Sequence, residues 1–431
     1  MRPALVLAAV AAFASPAGAQ SDSSWALHAR AARQAYHEGN FSVFRAQLLA
    51  QRREIGALPR LDYDLAVAEA RLGNGARAVE WLETFADMGL WQDVARDPDL
   101  VSLRSASGYA QVLARLAANR EPIARGAPAF TLADADLIAE VIAWDPAGNR
   151  FFVSSVHRRK IIALDSTGRA TDFTQPGADG TWGMLALAVD RARGVLWATT
   201  VAMPPAEGYA AADSGRSALL SYDLATGRVR ARLEPPATRA GHALGDMTLA
   251  ANGTVYVSDG ASGAVYTVAP DGRALDVLEP PGTFTSPQTP ALSPDERRLF
   301  VADYARGVAV IDLATRAVAW LPHPGNVAMA GIDGLYRVGT TLLALQNGTT
   351  PNRVLRLVLD DGMTRILGAD VVERGAPSLD EPTHGVLVGD SFYFIARSGW
   401  SRVRDDGSLA PAGASDAPTV RRLVLPRPGD R

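Results

Sequence analysis

The feature that most limits the fold is a short strand pattern that returns six times between residues 137 and 404. Each pass is an apolar strand, a turn rich in Asp, Pro and Gly, and a second apolar strand. The second strands read Arg150-Phe-Phe-Val-Ser-Ser155, Val195-Leu-Trp-Ala-Thr-Thr200, Thr254-Val-Tyr-Val-Ser-Asp259, Arg298-Leu-Phe-Val-Ala-Asp303, Thr341-Leu-Leu-Ala-Leu-Gln346 and Ser391-Phe-Tyr-Phe-Ile-Ala396. Their last residues are 45, 59, 44, 43 and 50 positions apart. A strand-only repeat of this length signals propeller blades, because one blade has two apolar faces and buries them only between neighbours. Six copies predict a closed six-bladed ring.

At 431 residues the chain is longer than one core usually holds, so a further domain is expected. The net charge is −3 and the basic residues are scattered, which points away from nucleic acid as a partner. The densest basic spot, His157-Arg-Arg-Lys160, reads as a solvated hairpin tip. There is no cysteine, which excludes disulfides, thiolate nucleophiles and Cys-ligated zinc.

Residues 1–19 read as a secretory signal: Arg2, a short apolar core over 4–14, and the small-residue cleavage site Ala17-Gly-Ala19. That core is too short for a stable bilayer anchor, and no later apolar run is long enough. The expectation is a mature chain that starts near Gln20 and is soluble in the periplasm or outside the cell.

Residues 20–120 have helical periodicity. Two turns, His37-Glu-Gly39-Asn40 and Arg71-Leu-Gly73-Asn74, place their glycines 34 residues apart, the tetratricopeptide period. Asp97-Pro-Asp-Leu100 reads as a cap and start for another helix. This tetratricopeptide-like unit offers either a groove for a protein partner or a cap over the propeller. A Pro- and Gly-containing linker at 121–129 separates it from a propeller at 130–431. The fold class is therefore a multidomain α+β chain, an all-β six-bladed propeller behind a small all-α unit. Two segments compete to close the ring, one at 130–137 and one at 419–425.

In a propeller the innermost strands line the axis, so their polar residues converge. Glu140, Asp246, Gln288, Asp333 and His384 enter otherwise apolar inner strands at one phase. Three crowded carboxylates must share a proton or a cation. Carboxylates with an amide oxygen suit Ca²⁺, with Mg²⁺ or Mn²⁺ as alternatives.

At these positions the chain resembles the senescence-marker-protein/gluconolactonase family, which includes luciferin-regenerating enzyme-like proteins. Glu140-Val-Ile-Ala-Trp-Asp145 is similar to the family's first-blade Glu-Gly-Pro-x-Trp-Asp, whose Glu is a metal ligand. Ser286-Pro-Gln288-Thr-Pro-Ala-Leu-Ser-Pro-Asp295 is similar to the fourth-blade Pro-Asn-Gly-Leu-Ala-x-Ser-Pro-Asp, whose Asn is a ligand. Ile332-Asp333-Gly-Leu335 is similar to the fifth-blade Pro-Asp-Gly-Leu, whose Asp is a ligand and the general base. The chain departs from the family in having Gln288 for that Asn and Gly245 for the third-blade Asn.

The resemblance implies a hydrolase of lactones or small esters. The metal ligands would be Glu140, Gln288 and Asp333. Asp333 or Asp246 would activate water and His384 would carry the proton. Trp182, His242, Phe284 and Arg397 would shape the substrate site. The competing expectation is a non-enzymatic binding module, and burial of the hub separates the two: an enzyme needs a water-reachable mouth over Glu140 and Asp333.

Overall fold

A computed structural model describes residues 23–425. The expected leader at 1–19 lies outside the described residues. The remainder contains six four-stranded antiparallel sheets, and no described helix is long and apolar enough to cross a membrane.

Each sheet starts with an inner strand: Ala139–Asp145, Gly183–Asp190, Leu244–Leu249, Pro287–Leu292, Ile332–Val338 and Gly385–Val388 in blades 1 to 6. The strands that carried the repeat are second in every blade. Between each pair of successive blades lies an apolar core. One packs Phe152 of blade 1 on Leu196 and Tyr222 of blade 2, and another packs Phe300 of blade 4 on Leu342 of blade 5. The sixth core joins Ile395 of blade 6 to Val153 and Ile162 of blade 1, so the ring is closed. Burial between blades is the dominant stabilising term for such strands, which have no other cover.

Both candidate closing segments are used, in one blade. Thr419–Val424 is the third strand of blade 6, and Ala127–Thr131 is its outermost strand, with Phe130 opposite Val420. The first strand thus begins at Ala127, within the expected linker.

The helical unit is two hairpins and a closing helix: α1 (Ser24–His37) with α2 (Phe41–Ile55), α3 (Pro59–Arg71) with α4 (Gly75–Asp87), and α5 (Tyr109–Ala118). The two turns lie where the sequence places them. Gly39 and Gly73 have φ of +73° and +82°, a region that disfavours any side chain. Asn40 then caps α2 by accepting from Val43 N. Asp97 also caps, accepting from Asp99 N, but Pro98–Ser105 is 3₁₀ rather than α.

This unit docks on blade 5. Ala328, in the loop before the inner strand, joins the helical core. Trp91 N donates to Thr350 O, in the loop after the second strand. Because Ile332 pairs with Gln346, both loops lie at the end of blade 5 where its inner strand begins. The helices therefore sit on the side of the ring where inner strands enter the hub.

Candidate metal centre at the hub

The inner strands of blades 1 to 5 share an irregularity that alternation cannot show. Their pairing with the second strand slips between Ala139 and Ile142, Met184 and Leu187, Leu244 and Met247, Pro287 and Pro290, and Ile332 and Gly334. Such bulges leave ladder groups unpaired and re-aim side chains. In blades 1 to 3 a hydroxyl on the second strand fills the gap. Ser154 Oγ accepts from Val141 N and donates to Leu185 O, and Thr199 Oγ1 accepts from Ala186 N and donates to Gly245 O. Ser258 Oγ accepts from Asp246 N. The bulges thus hold Glu140, Asp246 and Asp333 at the axis on rigid backbone.

There four of the five expected residues meet: Glu140, Asp246, Asp333 and His384. His384 Nε2 lies 3.3 Å from Asp246 Oδ1, 3.6 Å from Glu140 Oε1 and 3.7 Å from Asp333 Oδ1. All four are buried, at 3 to 5% exposure. His384 Nδ1 is 3.2 Å from Thr289 Oγ1, which donates to Asp333 O at 2.9 Å. Asn347 Nδ2 donates to Asp333 Oδ2 at 2.7 Å, and the Trp400 indole N–H donates to Glu140 Oε2. Burial alone would lower the His384 pKa, but the carboxylates of Asp246, Asp333 and Glu140 outweigh it and push it up to about 10. Burial pushes Asp333 up to about 7 and Asp246 to about 6, against the pull of His384 and with Glu140 adding to the rise. Glu381, at the rim, rises to about 7 through burial and the charges of Asp380, Glu140 and Asp333.

Backbone strain collects at the same place. Ile138 and Glu381 have φ of 41° and 51°, two and three residues before the hub residues Glu140 and His384 of blades 1 and 6. For a β-branched residue such as Ile138 this is a costly conformation, of the kind that persists where surrounding packing imposes it.

The donor set fits a divalent ion. One ligand atom each from Glu140, Asp333 and His384 lies within 4.8 Å of the others. Ligands at right angles about an ion with Ca–O bond lengths stand ~3.3–3.7 Å apart, the range of the His384 contacts. An imidazole thus stands with the expected carboxylates. Gln288 turns its amide nitrogen to Ser286, donating to Oγ at 2.9 Å and to O at 3.2 Å. The blade-4 residue that reaches the cluster is Thr289. The pair lies in a bulge, where two-residue alternation fails. An imidazole nitrogen among the ligands favours Mn²⁺ or Zn²⁺ over Ca²⁺.

Three of the four expected substrate-shaping residues have other partners, and the fourth lies elsewhere. His242 Nδ1 is 2.7 Å from Asp259 Oδ2 within blade 3. Phe284 is buried edge-on to Trp320 in the core between blades 3 and 4. Arg397 binds Ser415 O and Pro377 O and pairs with Asp380, tying loops of blade 6. Trp182 lines a cavity of about 380 Å³ with Arg159, Arg216 and Arg232, whose walls include no hub group. The groups that do border the hub include Trp400, Thr289, Asn347 and Tyr336. Tyr336 accepts from Gly385 N at 2.8 Å, and burial holds its phenol well above the usual range.

The mouth is covered. Trp400 packs with Ile138, Val156, Leu185, Val201 and Met203 in an apolar plug fed by the loops at 202–216 and 398–418. The helical unit covers the blade 5 side.

No protein-family model matches the chain, and no curated protein matches it. Solved structures do. A calcium-binding protein, regucalcin, from Agrobacterium tumefaciens matches 69% of this chain and 94% of its own at 16% identity and a TM-score of 0.49. A gluconolactonase from Xanthomonas campestris covers 71% and 94% at 16% identity and 0.44. The PQQ-bound form of an aldose sugar dehydrogenase from Streptomyces coelicolor covers 70% and 100% at 15% identity and 0.47. The structures similar to this six-bladed propeller include a gluconolactonase and a regucalcin.

Proposed function

We propose that the chain is a hydrolase of lactones or small esters that uses a divalent ion at the propeller hub, exported to the periplasm or beyond by residues 1–19. The observation that carries this reading is the convergence of Glu140, Asp246, Asp333 and His384 in one buried well. Glu140, Asp333 and His384 would hold the ion, and a bound ion supplies Lewis-acid polarisation of a substrate carbonyl. Asp246 is the remaining carboxylate, and it takes the proton from the attacking water as general base. The Asn347 amide and the Trp400 indole orient Asp333 and Glu140. Thr289 fixes the His384 ring through Nδ1. Proton and ion are alternatives for one negative well: with no ion, His384 takes the proton and lies as a cation among the carboxylates.

Burial gives the second reading its support. Glu140 and Asp333 are 4 and 5% exposed beneath Trp400 and the plug. For substrate to enter, the 398–418 loop must lift. If it stays closed, the hub is a buried polar network in a scaffold whose helical hairpins hold a protein partner. A panel of lactones and aryl esters, assayed with Mn²⁺, Zn²⁺ or Ca²⁺ and with Asp246→Asn, separates the two. The hydrolase reading expects metal-dependent turnover that falls by ~10²–10⁴-fold in the variant. Metal-independent turnover, or turnover unchanged in Asp246→Asn, rejects it.

A further inference from the structure

A second buried charge lies where the helical unit meets blade 5. Arg353 begins the third strand of that blade and is 1% exposed. Its Nε donates to Gln346 Oε1 at 2.6 Å, and its Nη1 donates to Met88 O at 2.7 Å and Gly89 O at 3.3 Å. All three acceptors are neutral. Among the described residues no carboxylate pairs with this guanidinium, and its Nη2 has no hydrogen-bond partner. Arg374 nearby also binds only carbonyls, Glu121 O and Ala118 O. Burial, with the like charge of Arg374, lowers the Arg353 pKa to about 9. A desolvated guanidinium without a counter-charge is costly unless something anionic completes it.

Arg353 lines a cavity of about 300 Å³, at the small end of ligand sites. The other walls are mixed: Val327, Leu355, Ala369 and Val371 from the propeller and Met88 from the helical unit are apolar, and Asn326, Gly89 and Gly368 stand among them. Asp87 also borders it, with its carboxylate paired to Arg115. A cation with apolar side chains beside it suits an amphipathic anion. A phosphate would set part of its charge against those apolar side chains.

We propose that this cavity is a second ligand site, for a small apolar monocarboxylate whose carboxylate meets Arg353 and whose hydrocarbon part lies on Val327, Leu355, Ala369 and Val371. Because its walls come from both units, the ligand clamps the helical unit to blade 5. The site is independent of the hub.

The test is calorimetry and thermal melting of the full mature chain with benzoate and hexanoate, and with hexylamine and inorganic phosphate as controls. The expected result is saturable binding of either monocarboxylate, a melting point that rises with ligand, and no binding of hexylamine. Leu367, an exposed wall residue, has room for a larger side chain, and Leu367→Trp narrows the cavity. It should keep the wild-type melt without ligand and weaken binding at least about tenfold, roughly 1.4 kcal/mol. Arg353→Gln should also lose binding, and Leu367→Trp decides the matter if that variant fails to fold. The proposal is overturned if neither monocarboxylate saturates the wild type, if Leu367→Trp binds as tightly, or if phosphate binds more tightly than both.

Discussion

The hub and the domain junction bury charge in opposite ways. At the hub, three carboxylates surround one imidazole, so negative charge is in excess. At the junction, buried Arg353 has only neutral oxygens as partners, so positive charge is in excess. Backbone carbonyls and one amide can orient a guanidinium, whose donors are fixed in a plane. Single donors from Asn347 and Trp400 orient two of the three carboxylates but neutralise none, so the three compete for one proton or one ion. The difference teaches that the junction is held by geometry and the hub by whatever cation it takes up.

The sharpest way to break the comparison is Asp246→Asn. It removes one negative charge and the proposed base, and hydrolysis should fall ~10²–10⁴-fold with the fold intact; circular dichroism with a lactone assay reads both. The next effect is Arg353→Met. The variant leaves the acceptors of Gln346, Met88 and Gly89 without their donor, so unfolding in urea should show a loss of about 3 kcal/mol. A stability equal to wild type would mean that the buried cation has no such role.

The pH dependence of the chelated chain sharpens the contrast. Asp246, Asp333 and His384 all have folded pKa values raised above their unfolded ones, to about 6, 7 and 10. Each holds its proton more tightly when folded, so its stabilisation is full at low pH and lost as pH rises through those values. The melting point of the chelated wild type should therefore fall more steeply than that of Asp333→Asn between about pH 5 and 8. Parallel curves would contradict the hub electrostatics. The smallest effect is Trp400→Phe, which keeps most of the plug and deletes the indole donor to Glu140. It should cost about 1–3 kcal/mol, the range for an unsatisfied buried acceptor, measured in urea with EDTA present.

The propeller was legible because its second strands are short, apolar and evenly spaced, and no other packing buries both their faces. Glu140, Asp246, Asp333 and His384 were legible because each breaks an apolar strand at the same point. Thr289 was not, since the bulge at 287–290 puts two side chains where alternation allows one. Trp400 was hidden by distance, 260 positions from Glu140 along the chain. His242 and Phe284 stand near inner-strand starts and look like mouth residues, yet partners inside the blades claim them. Arg353 opens an ordinary strand, and its carbonyl partners come from the docked helical unit, far away in sequence.

The most direct test of the hub is the ion content of the purified mature chain, measured by mass spectrometry after equilibration with Mn²⁺, Zn²⁺ and Ca²⁺. One ion per wild-type chain, absent from a Glu140→Gln, Asp333→Asn double variant that folds normally, is the predicted result. A wild-type chain that stays ion-free in all three, or a double variant that loads like wild type, would contradict it.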